Sequence, residues 1–454
     1  MLLAIGVLDE APSVSGVFLA TMVFGVALVF AVAPVGSRTL EEWLPITWSF
    51  AIRRRTFRSR LPRIGLGGAA GAQPGLELPP AVGKVAIIEA PYRDRLIGVL
   101  AERGGKRLTA VLACRVLAFA LLDPEAQERR LARFGLVLSS GSGTAIRRIQ
   151  WIERTIPAQG DELVRWLHSE RDPTVPLRGT AMIDSYLELI GTSAKIAQEH
   201  EILVAVQVDA RRIRDARGRS VEQALLEQTE RIAQGLDAAE VSVLGALSAG
   251  QLAHAVRTAF DPFARAELAA LQMADPQRDG VAEANAWPLG AQERWDHYRS
   301  DGALHATYWI GGWPRVEVSP MFMEALLGRS SAVRTVAVAF EPIAPERSIR
   351  EVEAAVTRDH ADRALRRRFG QSETARQRQT EESTMRREAE LAAGHTEVRL
   401  SGYVTVSGRD EHELRRATSE VLEHAARARL ELHRMYGQQA DAFTFTLPLC
   451  RGLR

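Results

Sequence analysis

Lysine is nearly absent from this chain. Of 58 basic residues in 454, only Lys84, Lys106 and Lys195 are lysines, so 55 are arginine. In so alanine-rich a chain this reads first as a GC-rich coding sequence and only second as a preference for forked guanidinium contacts. The scarcity has one firm consequence. A P-loop needs Gly-x4-Gly-Lys-Ser/Thr so that backbone amides and one lysine hold phosphates. Lys84 follows Gly83 but precedes Val85, and Lys106 follows Gly104–Gly105 but precedes Arg107, so neither qualifies. Cysteine is scarce too: Cys114 and Cys450 lie at opposite ends of the chain, which excludes a disulfide framework and a zinc ligand set. The net charge of +2 removes any bulk-charge argument for nucleic acid. The ten histidines include no His-Glu-x-x-His, and His200, His360, His395 and His424 sit in charged helical or turn contexts that suit surface positions. Gly141-Ser142-Gly143 lacks the flanks of a nucleophile elbow, and Ser139–Thr144 reads as a plain turn rather than a phosphate nest. No catalytic residue, cofactor site or metal site is legible, so the expectation is a protein without an active site and without a cofactor.

What is present is a membrane signal. Val14–Val35 runs without a charge, and about 22 helical residues span roughly 33 Å, enough for a bilayer core. A signal peptide competes, but Met1–Ser13 carries Asp9 and Glu10 and no basic residue, which favours an uncleaved anchor. Arg38, then Arg53, Arg54, Arg55, Arg58, Arg60 and Arg63, follow the run. Basic residues collect on the cytoplasmic side, so the bulk of the chain is expected on the cytoplasmic side of the membrane, with Arg53–Arg63 against anionic headgroups. Leu40–Phe50, with Trp43 and Trp48, suits an interfacial amphipathic stretch.

The pattern predicts an α+β protein: a transmembrane helix, then a cytoplasmic body of mixed sheets layered with helices, and a long charged arm. The expected divisions are an anchor at 1–63, a Gly/Pro linker at 64–80, a body at 81–344, a charged helical arm at 345–394 and a terminal strand–helix–strand unit at 395–454. Strands are expected at Val82–Glu89, Leu108–Ala113, Ile202–Asp209, Val241–Leu247, His305–Ile310, Val316–Ser319, Val333–Pro342, Glu397–Ser407 and Ala442–Leu449, with Ile146–Ile156 a mixed strand at best. Helices are expected at Asp123–Phe134, Thr180–His200, Ser220–Leu236, Gly250–Phe260, Pro320–Leu327 and Asp410–Met435. No fixed-period repeat is visible. Trp287, Trp295, Tyr298, Tyr308, Trp309 and Trp313 crowd one stretch of a chain that is only 6% aromatic. A structural cluster explains them first and a partner-binding patch second. Arg363–Arg387 could track phosphates, but interleaved Asp and Glu point to a solvated, salt-bridged helix.

Gly394–Leu449 resembles the end of the N-terminal domain of the large ATPases of conjugative type IV secretion systems. The resemblance rests on Val404-Thr405-Val406, the acidic turn Asp410, Glu411 and Glu413 before a long helix, the Tyr436, Gln438 and Gln439 region, and Phe443…Leu447-Pro448-Leu449. Leu40–Trp43 and Arg53–Arg55 loosely resemble a PrgI-type inner-membrane subunit. The combination is similar to an actinobacterial family of conjugation-associated membrane proteins whose motor is a separate chain. That resemblance implies a non-catalytic inner-membrane scaffold of a type IV secretion-like or DNA-transfer apparatus. Its partners would be a separate P-loop ATPase, other inner-membrane secretion subunits, the lipid bilayer and further copies of itself. Phe443, Phe445, Leu447, Pro448, Leu449 and Tyr436, with Trp309 and Trp313, are the expected partner-binding residues. The rival expectations are a membrane-anchored nucleic-acid binder using the arginine-rich arm and a hydrolase with an unrecognised site.

Overall fold

The computed structural model describes residues 38–53, 55–59, 77–116, 119–157, 198–213, 220–265, 280–314, 316–328, 330–352 and 389–453, with short pieces at 21–22, 34–35 and 385–387 and a few isolated positions. The apolar run 14–35 therefore lies almost wholly outside the described residues. Its last two residues, Pro34–Val35 (β1), pair with Arg38–Thr39 (β2) in a short antiparallel ladder. No helix among the described residues is long and apolar enough to cross a membrane. Most of the arm at 345–394 and most of 180–197 also fall outside them.

Next comes helix α1 (Leu40–Ile52), then β3 (Thr56–Arg58) and a hairpin pair of long strands, β4 (Val85–Tyr92) and β5 (Arg95–Glu102). The series continues with β6 (Arg107–Arg115), α2 (Pro124–Ser139), β7 (Ile146–Pro157), β8 (Gln198–Asp209), α3 (Val221–Ala238), β9 (Ser242–Ala246) and α4 (Ala249–Phe260). Beyond these lie β10 (Gly290–Glu293), β11 (Tyr298–Ser300), β12 (Ala303–Gly312), α5 (Glu324–Leu327), β13 (Val333–Pro342), β14 (Val398–Gly408), α6 (Glu411–Arg427), β15 (Glu431–Arg434) and α7 (Gln439–Phe443). The expected mixed α+β class is what is found. All but β1 and β2 form one antiparallel sheet of 13 strands, in the order β3-β10-β11-β12-β14-β13-β7-β8-β6-β5-β4, with β15 beside β12 and β9 beside β6. Because β14 sits between β12 and β13, residues 395–454 belong to the same sheet as the body.

That order is a duplication. The series β4-β5-β6-α2-β7-β8-α3-β9-α4 is repeated as β10-β11-β12-α5-β13-β14-α6-β15-α7, and the two copies meet where β7 pairs with β13. Corresponding pairings match in detail. β9 joins the far half of β6 across a register shift at Ala113/Cys114, and β15 joins the far half of β12 across a shift at Ile310/Gly312. Each copy carries its long insertion between the same two strands, 158–197 in the first and 343–397 in the second. Antiparallel pairing of β7 with β13 puts their C-terminal ends at opposite ends of the sheet.

The helices start where their caps dictate. Ser220 with Gln223, and Ser248 with Gln251, form capping boxes, while Asp123 and Asp410 cap α2 and α6. On one face of the sheet, α3 packs Leu225, Ile232 and Leu236 over Leu108, Leu112, Val204 and Val206. On that face too, α6 packs Leu414, Ala417 and Val421 over Leu304, Ala306, Val404 and Val406. The opposite face holds α4 and α7, whose Leu252, Val256, Phe260 and Phe443 share a core with Leu100, Val111, Leu203 and Ala337.

After α7 the chain makes a 3-10 turn at Thr444–Thr446 and crosses the sheet from the second copy to the first. Polar side chains rising from the strands hold it. Gln150 donates to the Phe445 carbonyl and accepts from the Cys450 N–H, both at 2.7 Å, and Gln207 donates to the Leu449 carbonyl at 3.1 Å. Thr307, Thr405 and Thr446 form a hydroxyl chain at 2.8 and 2.9 Å. At its end Arg451 Nε donates to Glu102 at 2.9 Å and Nη1 to the Ala81 carbonyl at 2.9 Å. Because the tail lies over the sheet, the strand expected at Ala442–Leu449 is instead a helix end and a strap. Its Phe/Thr alternation marks a segment with apolar groups buried and hydroxyls hydrogen-bonded to the strands below.

Other expectations need smaller corrections. The helix expected to reach Met435 stops at Arg427; Arg429 takes a left-handed conformation (φ 57°), and β15 follows. Val316–Ser319 forms no strand, β5 is an additional strand between the two expected early ones, and Gln198–His200 opens β8 rather than ending a helix. Ile146–Ile156 is a full central strand, flanked by β13 and β8; its mixed pattern follows from cover on both faces.

Candidate membrane-facing site

Helix α1 leads from the apolar run into the body, and its two faces differ. Trp43, Ile46 and Phe50, spaced for one helical face, seat on the body. The Trp43 and Trp295 ring centroids are 5.8 Å apart, Phe50 meets Trp295 edge-on at 5.1 Å, and Trp295 stacks on Tyr436 at 6.5 Å. Gly437 makes this fit possible. Its φ is +68°, and a Cβ there would stand 2.6 Å from the Trp295 ring and 2.9 Å from Ile46. Its N–H donates to the Trp295 carbonyl at 2.7 Å, which fixes the β15–α7 turn under the helix.

Below α1 the chain is tied down twice. Arg53 forms an ion pair with Asp441, and β3 pairs with β10 while burying Phe57. Arg55 lies over the Phe50 ring at 4.9 Å, and its carbonyl accepts from the Glu293 N–H at 2.7 Å. These residues rim a cavity of about 330 Å³, lined by Arg53, Arg55, Phe57, Glu293, Tyr298 and Asp441 among others. Burial pushes the Glu293 carboxyl above the ordinary range, against the opposing pull of the Ala440 N–H, which Glu293 accepts at 3.0 Å.

The other face of α1 is apolar and open. Leu44 is 56% exposed, Trp48 72% and Ile52 66%, at i, i+4 and i+8. Fully burying one such side chain is worth roughly 1.5–3 kcal/mol, so a row of three standing in water is a cost that a bilayer interface would remove. Arg53, Arg55 and Arg58 are exposed just beyond it. Of the six arginines expected at a membrane surface, these three are described; Arg54, Arg60 and Arg63 lie outside the described residues.

The expected partner-binding residues are placed differently. Phe443, Leu447, Pro448 and Leu449 are buried in this chain's own core, with Phe443 centred 4.6 Å from His305 and 5.0 Å from Phe260. Phe445 is half-buried beside Tyr403, Tyr436 belongs to the α1 seat, Trp309 packs on His433 and Trp313 is half-buried. The tail is therefore an internal strap, in which Phe443, Leu447, Pro448 and Leu449 pack inward and are not exposed for docking. The aromatic stretch divides the same way: Trp287, Tyr298 and Tyr308 are core residues, and only Trp295 reaches α1. Sequence reasoning named Trp43 and Trp48 but missed Ile46, Glu293, Gly437 and Asp441, which are distant in sequence and carry no motif.

Among the described residues the buried titratable groups do not assemble into a catalytic set. His305 is fully buried, 2.8 Å from Ser300, 2.9 Å from Ser407 and 3.0 Å from the Phe260 carbonyl, and burial lowers its pKa to about 4. It stays neutral as a structural cross-link. Burial pushes the Cys114 thiol up to about 12 and the Cys450 thiol up as well, so neither is an activated nucleophile. Among the described residues no group of three His, Cys, Asp or Glu side chains could hold a metal ion.

Residues 196–310 match a known family. It is EccE, described as a putative type VII ESX secretion system translocon. No curated protein matches the chain. The match runs from β8 to β12 and so bridges the two copies of the duplicated unit. It supports a secretion-system component in general. It does not reach the front segment or the C-terminal unit on which the type IV resemblance rests.

Proposed function

We propose that this chain is a non-catalytic, membrane-attached structural subunit of a type VII-class secretion translocon, working beside a separate ATPase. The observation that carries the reading is α1: a helix clamped to the body on one face, apolar on the other, and following by four residues an uncharged run long enough to span a bilayer. The EccE match over 196–310 supports the secretion class, and favours type VII over the type IV alternative. Docking of an ATPase falls to exposed surfaces other than Phe443–Leu449, since those side chains are occupied inside the fold.

The test is purification of the tagged full chain from its native membranes in mild detergent, with mass spectrometry of what accompanies it. The expected result is co-purification with a P-loop ATPase and further membrane subunits of a type VII-class apparatus. A monomer with no secretion partner, or recovery with conjugation proteins alone, would contradict the proposal. Removal of Gly394–Arg454 is not a useful docking test, because it deletes β14 from the middle of the sheet.

A further inference from the structure

We propose that the junction between the two copies of the duplicated unit is a binding site for a phosphate group. Where β7 starts and β8, β13 and β14 have their neighbouring ends, a cavity of about 280 Å³ is lined by Arg211, Arg212, Arg347 and Arg399 together with Gly143 and Thr144. The arginines come from separate elements: the 3-10 turn after β8, the helix at 345–352 and β14. Guanidinium groups converging from several elements on one concavity suit a multiply charged oxyanion, which accepts paired N–H bonds from each.

Charge on the walls is unbalanced. Glu341 is the carboxylate that lines the cavity among the described residues, and it is shared by Arg212 at 3.2 Å and Arg148 at 3.1 Å. Glu351 is likewise shared by Arg347 at 2.8 Å and Arg399 at 3.5 Å. Among the described residues, the four lining arginines thus share the cavity with one lining carboxylate, Glu341, an excess of cation that an incoming anion would neutralise. Arg212 is held in place by the Ile146 carbonyl at 2.8 Å and the Pro342 carbonyl at 3.3 Å, so one wall is preorganised.

The Ser139–Thr144 turn supplies the rim. Gly141 packs so closely on Pro342 that a Cβ would lie 2.9 Å from its ring, and Ser142 Oγ donates to the Ile343 carbonyl at 2.5 Å. Those contacts lock the turn onto β13 and leave Gly143, with φ +70°, over open space. A turn without a lysine behind it is no P-loop; here the cations come instead from three segments distant in sequence. The ligand is a phosphate or phosphomonoester group, either free or on a lipid headgroup.

The experiment uses the full chain in detergent, titrated calorimetrically with inorganic phosphate and pyrophosphate. A second arm measures co-sedimentation with phosphatidylcholine vesicles with and without phosphatidic acid. R211A/R399A removes two exposed arginines, and R129A/R415A removes two from α2 and α6 as a control for charge. The expected result is saturable binding that R211A/R399A weakens about tenfold or more and R129A/R415A leaves unchanged. If this pattern appears with free phosphate or pyrophosphate the ligand is soluble, and if only with phosphatidic acid vesicles it is a headgroup. No binding of any phosphate probe, or binding that R211A/R399A leaves unchanged, would overturn the proposal.

Discussion

At the scale of single residues, the surroundings of a few side chains fix what they do. Gly437 has a left-handed φ and sits against Trp295 and Ile46. Gly437→Val should destabilise the α1 seat by about 1–3 kcal/mol through backbone strain and overlap. Thermal unfolding should show the loss, and a red shift of tryptophan emission should show release of Trp43 and Trp295. His305 supplies a pH prediction. Its folded pKa is about 4, below the ordinary 6.5, so the unfolded chain takes up the proton first as pH falls. Its contribution is complete above about pH 6.5 and is lost between there and about pH 4, a window of about 3 kcal/mol. His305→Gln should flatten the denaturant midpoint against pH in that window; an unchanged slope would show that another group controls it.

Individual elements were legible in the sequence where local chemistry decides them. Ser220, Asp123 and Asp410 announce their helices, and β13 begins and ends where Val333–Pro342 suggested. Legibility failed where tertiary cover decides. Phe443–Leu449 has strand composition but lies across the sheet as a strap, held by Gln150, Gln207 and Thr405, and nothing local reveals those partners. The strap gives its own prediction. Arg451→Ala leaves Glu102, which is buried, without its cation, and should cost about 2–4 kcal/mol. Hydrogen exchange should then quicken in β4 and β5, far from the mutated residue in sequence. For α1, L44S/W48S/I52S should lower partition onto anionic vesicles several-fold while leaving the unfolding midpoint of the body nearly unchanged, since those side chains touch solvent.

For the whole molecule, the central fact is a duplicated unit closed into one sheet through β7 and β13. It leaves no fixed period in the sequence because the spacing drifts, from 205 residues between the starts of β4 and β10 to 187 between those of β7 and β13. The interfacial character of Leu40–Phe50 was readable from Trp43 and Trp48, whereas the seat that makes α1 part of the body was not, because Trp295 and Tyr436 reach it only after the second unit folds. In the proposed function α1 is the joint between that body and the bilayer. The most direct test is a nitroxide label at Trp48→Cys in the full chain, in lipid vesicles, with Cys114 and Cys450 protected by burial. Collision rates with oxygen and with a water-soluble nickel chelate would be compared. Preferential collision with oxygen, placing position 48 at the headgroup–acyl boundary, is the predicted result. A label fully accessible to the chelate and shielded by no lipid would contradict it.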